Sequence, residues 1–209
     1  MKPNDSKTLD ASYWNQRYTT GNTGWDVGAP TLPISAFLDR VSDKNIRLLI
    51  PGAGNAYEAM YAWKNGFKNV HVLDIAEIPL QKFSKSNPGF PQEQLILEDF
   101  FDHRGQYDLI IEQTFFCALL PSQEVRQAYA KKMHELLANN GQLAGVWFDF
   151  PLVVNNFESP PFGGTKSDYL TFLKPYFETV LFERCRNSIP ERLGIELFGI
   201  FKSRKSYFF

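Results

Sequence analysis

The stretch Leu48-Leu49-Ile50-Pro51-Gly52-Ala53-Gly54-Asn55-Ala56-Tyr57-Glu58 constrains this chain more than any other. A short apolar run, of the kind buried in parallel sheets, stops at Pro51-Gly52 and passes through a G-x-G turn into a helical pattern. Gly52 supplies the positive φ that such a turn needs, and Gly54, lacking a Cβ, lets a ligand lie against the backbone. Tyr57 stands where a dinucleotide fold usually has its third glycine. A ring there speaks against a pyrophosphate on the helix N-terminus, and so against a nicotinamide-dependent oxidoreductase. Farther on, Leu73-Asp74-Ile75 closes the next apolar run and puts a carboxylate where a ribose presents its two hydroxyls. A lone G-x-G is as readily a plain turn, with the acid a helix cap. Strand, turn, helix and acid in this order favour a nucleoside site.

The rest of the chain repeats the alternation. Helices are expected at Leu9 to Tyr18 and Leu32 to Val41, separated by a loop rich in Gly, Thr, Asn and Pro that carries Trp25. Then follow strand Ile46 to Ile50, helix Asn55 to Asn65, strand Val70 to Ile75, helix Glu77 to Ser86, and strands Gln94 to Leu97 and Tyr107 to Glu112. A helix from Ser122 to Asn139 has Ser122 as its N-cap, an apolar stripe of Val125, Tyr129, Met133, Leu136 and Leu137, and Gly141 beyond its end. Strand Gln142 to Phe148, helix Lys166 to Leu173, and strands Glu178 to Cys185 and Gly194 to Lys202 complete the series. The last two are joined too closely for a crossover and should pair antiparallel at one end of the sheet. The fold class is therefore α/β: a doubly wound, Rossmann-like, mostly parallel sheet with a C-terminal antiparallel hairpin. We expect one domain over residues 1–209, with residues 1–41 as an N-terminal lid and a mobile polar tail at its start.

Two more strand ends reach the carboxyl edge, where open α/β sheets bind ligands. Glu98-Asp99-Phe100-Phe101 offers an acceptor for an adenine amino group in Asp99 and a ring to pack on the base in Phe100. A helix cap and a core ring would explain the same residues. Glu112-Gln113-Thr114-Phe115-Phe116-Cys117 adds polar groups and rings beside the same crevice.

Composition excludes several functions. Lys plus Arg number 22 against 23 Asp plus Glu, without the basic excess of a nucleic-acid-binding surface. No stretch is long and apolar enough for a membrane span, and Met1 to Asp10 is polar, without a signal-peptide core. A cytoplasmic location is expected. Cys117 and Cys185 lack metal-ligand spacing and read as free thiols, Cys117 as packing rather than nucleophile, and no metal is expected. His71, His103 and His134 show no partner pattern and read as structural or exposed.

Several blocks in one order resemble a known family: Tyr13-Trp14-Asn15-Gln16-Arg17-Tyr18, Thr23-Gly24-Trp25-Asp26-Val27-Gly28, Pro51-Gly52-Ala53-Gly54, Val72-Leu73-Asp74-Ile75, Glu98-Asp99-Phe100-Phe101, Phe115-Phe116-Cys117-Ala118, and Ser188-Ile189-Pro190 with Arg192. Over nearly its whole length the chain is similar to the thiopurine methyltransferase-like superfamily, particularly the plant halide and thiol methyltransferase branch and its bacterial relatives. The resemblance implies a seven-strand sheet and S-adenosylmethionine as cofactor. It places that cofactor over Gly52, Gly54, Asp74, Ile75, Asp99 and Phe100, with Gln113 beside it, beneath a lid carrying Trp14, Tyr18 and Trp25. Tyr18, Ala53 and Gln113 stand where the plant branch usually has Trp, Cys and Tyr, and Gln113 bears on acceptor preference. Ala56 and Glu58 match the thiopurine branch instead.

The implied reaction is methyl transfer from a sulfonium to a small acceptor, foremost a thiol, with halide or thiocyanate as alternatives. No catalytic base or nucleophile is required, because a thiol with a pKa of about 8.5 already supplies some thiolate near neutrality. The expected acceptor site comprises Trp25, Phe116, Phe148, Phe162 and Arg192. An oxygen acceptor would want a base, for which Glu112 is the nearest candidate. A module that binds a nucleoside without catalysis stays open at this stage, and the oligomeric state, monomer included, is not fixed by sequence.

Overall fold

A computed structural model describes residues 9–151 and 159–204 of the chain. The polar stretch 1–8, expected as a mobile tail, lies outside the described residues. Seven strands, β1 (Arg47–Pro51), β2 (Asn69–Asp74), β3 (Leu95–Leu97), β4 (Tyr107–Gln113), β5 (Leu137–Phe148), β6 (Phe177–Arg184) and β7 (Glu196–Ser203), form one sheet in the order β3-β2-β1-β4-β5-β7-β6. The first five run parallel; β7 pairs antiparallel with both β5 and β6. This is the doubly wound sheet with a C-terminal hairpin that the sequence predicts.

The apolar runs build two cores because successive side chains of a strand point to opposite faces. Leu49, Leu73 and Ile110 join a cluster with α5 (Gln123–Leu136) and α6 (Lys166–Leu173). Leu48, Ile50, Val70, Val72, Leu109 and Ile111 face the other way, against α2 (Leu32–Arg40), α3 (Tyr57–Lys64) and α4 (Glu77–Ser86). Burial on both faces explains why these strands lack polar alternation. The helix α1 (Ala11–Thr19) is capped by Asp10, whose carboxylate accepts from the Tyr13 N–H at 2.9 Å. It leans on α4 through Asn15, which accepts from the Ile78 N–H.

One boundary differs from expectation. The helix begun by Ser122 ends at Leu136, and Leu137, expected in its apolar stripe, opens β5 opposite Tyr107. An apolar residue at helical spacing satisfies both patterns; pairing with β4 decides, and the chain then bends through Asn140 at φ 62°. The helix after the glycine turn also starts late, at Tyr57, because Ala56 sits left-handed at φ 54°.

Strand order reverses between β1 and β4, so their outgoing loops diverge and leave a crevice at the carboxyl rim. Among the described residues no helix is long and apolar enough to cross a membrane.

Candidate active site

The crevice is a pocket over that rim. Its first end is built by strand ends. Gly52 and Gly54 have φ of 59° and 53°, and a Cβ on Gly52 would lie 2.1 Å from the Phe115 ring. On Gly54 it would lie 2.5 Å from the Tyr18 hydroxyl. Both positions therefore exclude side chains for space as well as for backbone conformation. Asp74 accepts the Gly54 N–H through Oδ2 and the Ala76 N–H through Oδ1, each at 2.8 Å. Burial pushes its carboxyl above the ordinary range, against the pull of these N–H groups. The acid expected at the sugar position thus also ties the glycine turn down. Each of its oxygens retains a second lone pair.

Ile75, Asp99, Phe100 and Phe101 continue this wall. Asp99 accepts from the Phe101 N–H at 2.9 Å, and Phe100 packs edge-on against Phe101 and Phe115 at 5.2 and 5.1 Å. Phe100 is at once a core ring and a wall of the pocket. Beside it, Glu98 bonds the buried His103, whose other nitrogen meets the Tyr107 hydroxyl. His103 therefore has partners that the sequence did not reveal.

The N-terminal segment covers the pocket. Trp25 is met edge-on by Trp14 at 5.6 Å and by Tyr18 at 5.9 Å. Arg17 lays its guanidinium over Trp25 at 4.9 Å while its Nε donates to the Asn22 carbonyl. Asp26 accepts from the Gly28 N–H, the Asn55 amide and the Tyr57 hydroxyl, so the loop is bound to the glycine turn. Arg17 and Asp26 were not anticipated.

The other end of the pocket carries Glu58, Gln113, Cys117, Phe148, Pro160 and Pro161, with Trp25 above. Glu58, near the start of α3, accepts from both the backbone N–H and the hydroxyl of Thr31, at 2.9 and 3.0 Å. The Thr31 hydroxyl also lies 3.1 Å from the Gln113 amide. Burial pushes the Glu58 carboxyl up, opposed by Thr31 and by the nearby Arg192. Burial likewise raises the Cys117 thiol, which donates to the Thr114 carbonyl at 2.8 Å. Cys117 is accordingly a neutral wall of the pocket, and Glu58 is the wall carboxyl that the sequence reading passed over.

All ten residues expected around the cofactor, Trp14, Tyr18, Trp25, Gly52, Gly54, Asp74, Ile75, Asp99, Phe100 and Gln113, lie on this one pocket. The expected acceptor residues divide. Trp25 and Phe148 line it; Phe116, Phe162 and Arg192 do not. Phe116 packs between Tyr129 and Tyr169 at 5.0 and 4.9 Å, beneath the Arg126 guanidinium. Phe162 is buried behind the wall, its N–H on the Cys117 carbonyl. Arg192 is buried rather than solvated: it pairs with Glu196 at 3.3 Å, donates to the Trp25 carbonyl and stacks over Phe148 at 5.2 Å. Glu112, the base considered for an oxygen acceptor, is fully buried on the opposite face of β4. It accepts from Tyr129 and the Phe116 N–H there, and burial raises its pKa to about 7. It does not reach the pocket.

Comparison with known proteins points to one family. Residues 9–206 match the family model of thiopurine S-methyltransferase. The chain is 30% identical over 200 residues to a probable thiol methyltransferase 2 of Arabidopsis thaliana, covering 93% of this chain and 86% of that protein. It is 31% identical over 202 residues to a thiocyanate methyltransferase 1 of Brassica oleracea, covering 94% and 87% respectively. Among solved structures, a Burkholderia thailandensis 1,6-didemethyltoxoflavin N1-methyltransferase with bound S-adenosylhomocysteine shares the fold. Its TM-score is 0.73 at 16% identity, over 97% of this chain and 94% of that one. The chain belongs to the thiopurine S-methyltransferase family and is an S-adenosylmethionine-dependent methyltransferase that acts on a small acceptor.

Proposed function

We propose that the methyl acceptor is a thiol, held among Trp25, Phe148, Cys117 and Gln113, while the nucleoside lies over Gly52, Gly54, Asp74, Ile75, Asp99 and Phe100. The observation that carries this is one pocket whose lining joins acids and bare glycine backbone to rings and an uncharged thiol. The residues at the first end fit the cofactor. Gly52 and Gly54 leave the room a nucleoside needs, and Asp74 and Asp99 offer acceptors for hydroxyl and amino groups.

When bound, S-adenosylmethionine supplies a methyl group on a positively charged sulfur. Trp14, Tyr18 and Trp25 line the pocket, and a cation over the face of such a ring gains roughly 0.5–2 kcal/mol. The lid rings and Phe148 keep water from the acceptor. Attack by a thiolate removes one positive and one negative charge, so an apolar, dry wall favours the transition state over the separated ions. Holding the two reacting atoms in line contributes further, roughly 7–11 kcal/mol at its upper range. Halide or thiocyanate is the second reading, of which thiocyanate is supported by the names of two plant relatives.

An acceptor screen with methyl-labelled S-adenosylmethionine tests this directly. We expect product from small thiols and hydrosulfide in excess of that from iodide, oxygen or nitrogen nucleophiles; turnover confined to iodide and thiocyanate would reverse the order of the two readings.

A further inference from the structure

Thr31, Glu58 and Gln113 meet at the acceptor end from three different elements: the N-cap of α2, the first turn of α3 and the end of β4. The Thr31 hydroxyl is 3.0 Å from Glu58 Oε1 and 3.1 Å from Gln113 Oε1, and both of those atoms are acceptors. A hydroxyl has one proton and cannot donate to both. The two ends of an amide exchange by a half-turn, so the direction of the chain follows whether Glu58 Oε1, which also accepts the Thr31 N–H, carries a proton. With Glu58 ionised, Thr31 donates to Glu58, accepts from the Gln113 Nε2, and leaves the Gln113 carbonyl facing the pocket. With Glu58 protonated, its proton goes to the Thr31 oxygen and the Thr31 proton to Gln113 Oε1. The Gln113 NH2 is then left for the pocket.

We propose that this three-residue chain selects the acceptor by charge: its carbonyl form takes a nucleophile that still carries its proton, a neutral thiol, and its NH2 form takes a bare anion. The proposal rests on the reading of this end of the pocket as the acceptor site. One hydroxyl proton serves one partner at a time, so a proton on Glu58 Oε1 reverses the chain. Glu58 is buried, which favours its protonated form, and the charge facing it is that of Arg192, which opposes this and is itself paired with Glu196. Tyr57, next to Glu58, stays a neutral phenol, turned toward Asp26. Burial thus favours proton uptake by Glu58 as the pH falls.

Thiocyanate binding to the enzyme saturated with S-adenosylhomocysteine, measured by calorimetry between about pH 8 and pH 5, tests the idea, since thiocyanate does not change charge in that range. Wild-type affinity should tighten as pH falls, by up to about tenfold per pH unit, the ceiling for one linked proton. Glu58→Gln, which has no proton to gain or lose in this range, should bind thiocyanate with no pH dependence. Thr31→Val should abolish the pH dependence and Thr31→Ser restore it, and this pair carries the test if Glu58→Gln does not fold. A flat wild-type profile, no thiocyanate binding at any pH, or a slope that survives Thr31→Val overturns the proposal. Affinity for S-adenosylhomocysteine is measured first. Its absence would count against the pocket assignment itself, whereas a flat profile on saturated enzyme counts only against the chain.

Discussion

The two ends of the pocket are built by different means. The nucleoside end is made of strand termini and backbone: the Gly52 and Gly54 turn, Asp74 on two N–H groups, and Asp99 on another. Its bonds join neighbours in the sheet or residues two apart. The acceptor end is assembled by side chains from distant parts of the chain, Thr31 with Gln113 across 82 residues and Trp25 with Arg192 across 167. A rigid sheet can present the first end with little help, while the second exists only once lid, β4 and the loop before β7 have docked. The common nucleoside should thus meet a preformed surface, and the acceptor a surface that small changes can retune.

The largest test of that contrast is Arg192→Met. It leaves the Glu196 carboxylate, only 1% exposed, without its cation, and removes the donor to the Trp25 carbonyl. Breaking a buried pair from one side costs about 3–5 kcal/mol. We expect a denaturation midpoint lowered accordingly. Acceptor KM should rise more than the Kd for S-adenosylhomocysteine. Equal losses of both would mean that the two ends are one cooperative unit.

Gly52→Ala probes the opposite end. The new methyl would overlap the Phe115 ring at a positive φ, so either the turn or the ring must move. An expected loss of roughly a hundredfold in S-adenosylhomocysteine affinity, about 3 kcal/mol, is read by calorimetry. A variant that folds and binds normally would show that this end is as pliable as the other.

Glu112 separates the wall of the pocket from its backing. One residue before Gln113 on β4, it faces the other core, with a pKa raised to about 7 by burial. A carboxyl whose folded pKa lies above its unfolded one makes the native state hold the extra proton. Stability is then greatest below the unfolded pKa of about 4.5 and declines as pH rises toward 7. Glu112→Gln should remove that decline, on the order of 2–3 kcal/mol, from urea denaturation followed between those limits. Acceptor preference should not move, because the side chain lies behind the sheet.

The same contrast governs what the sequence reveals. Strand runs buried on both faces, the glycine turn and the acid after β2 all lie within short windows, and the residues expected around the nucleoside do share one pocket. Phe116, Phe162 and Glu112 carry the right chemistry at nearly the right place, but all three are buried: the period of two along β4 turns Glu112 away from Gln113, Phe116 packs in the core, and Phe162, in the loop after β5, sits behind Cys117. Arg192 resembles a surface cation until Glu196 and the Trp25 carbonyl, one near and one remote, are seen to claim it. Leu137 fits helix and strand alike, so only its pairing with Tyr107 assigns it. Composition and spacing find the strand ends; docked side chains leave no local signal.

Arg17 offers the finest test, since it lies where the lid meets the nucleoside end. Its guanidinium over Trp25 and its bond to the Asn22 carbonyl join α1 to the loop that follows, at an exposed position where such contacts contribute only about 0.5–1 kcal/mol. Arg17→Gln should therefore leave the denaturation midpoint nearly unchanged and weaken S-adenosylhomocysteine by about two- to fivefold. Arg17→Lys keeps the charge but loses the planar fork that holds Asn22 while lying on the indole. If charge above the ring is what matters, Lys should bind like wild type; if the lid is held by the fork, Lys should behave like Gln. The second outcome, which we expect, makes the lid a mechanical cover over a preformed nucleoside surface, and dissociation of S-adenosylhomocysteine should then quicken in both variants while association stays the same.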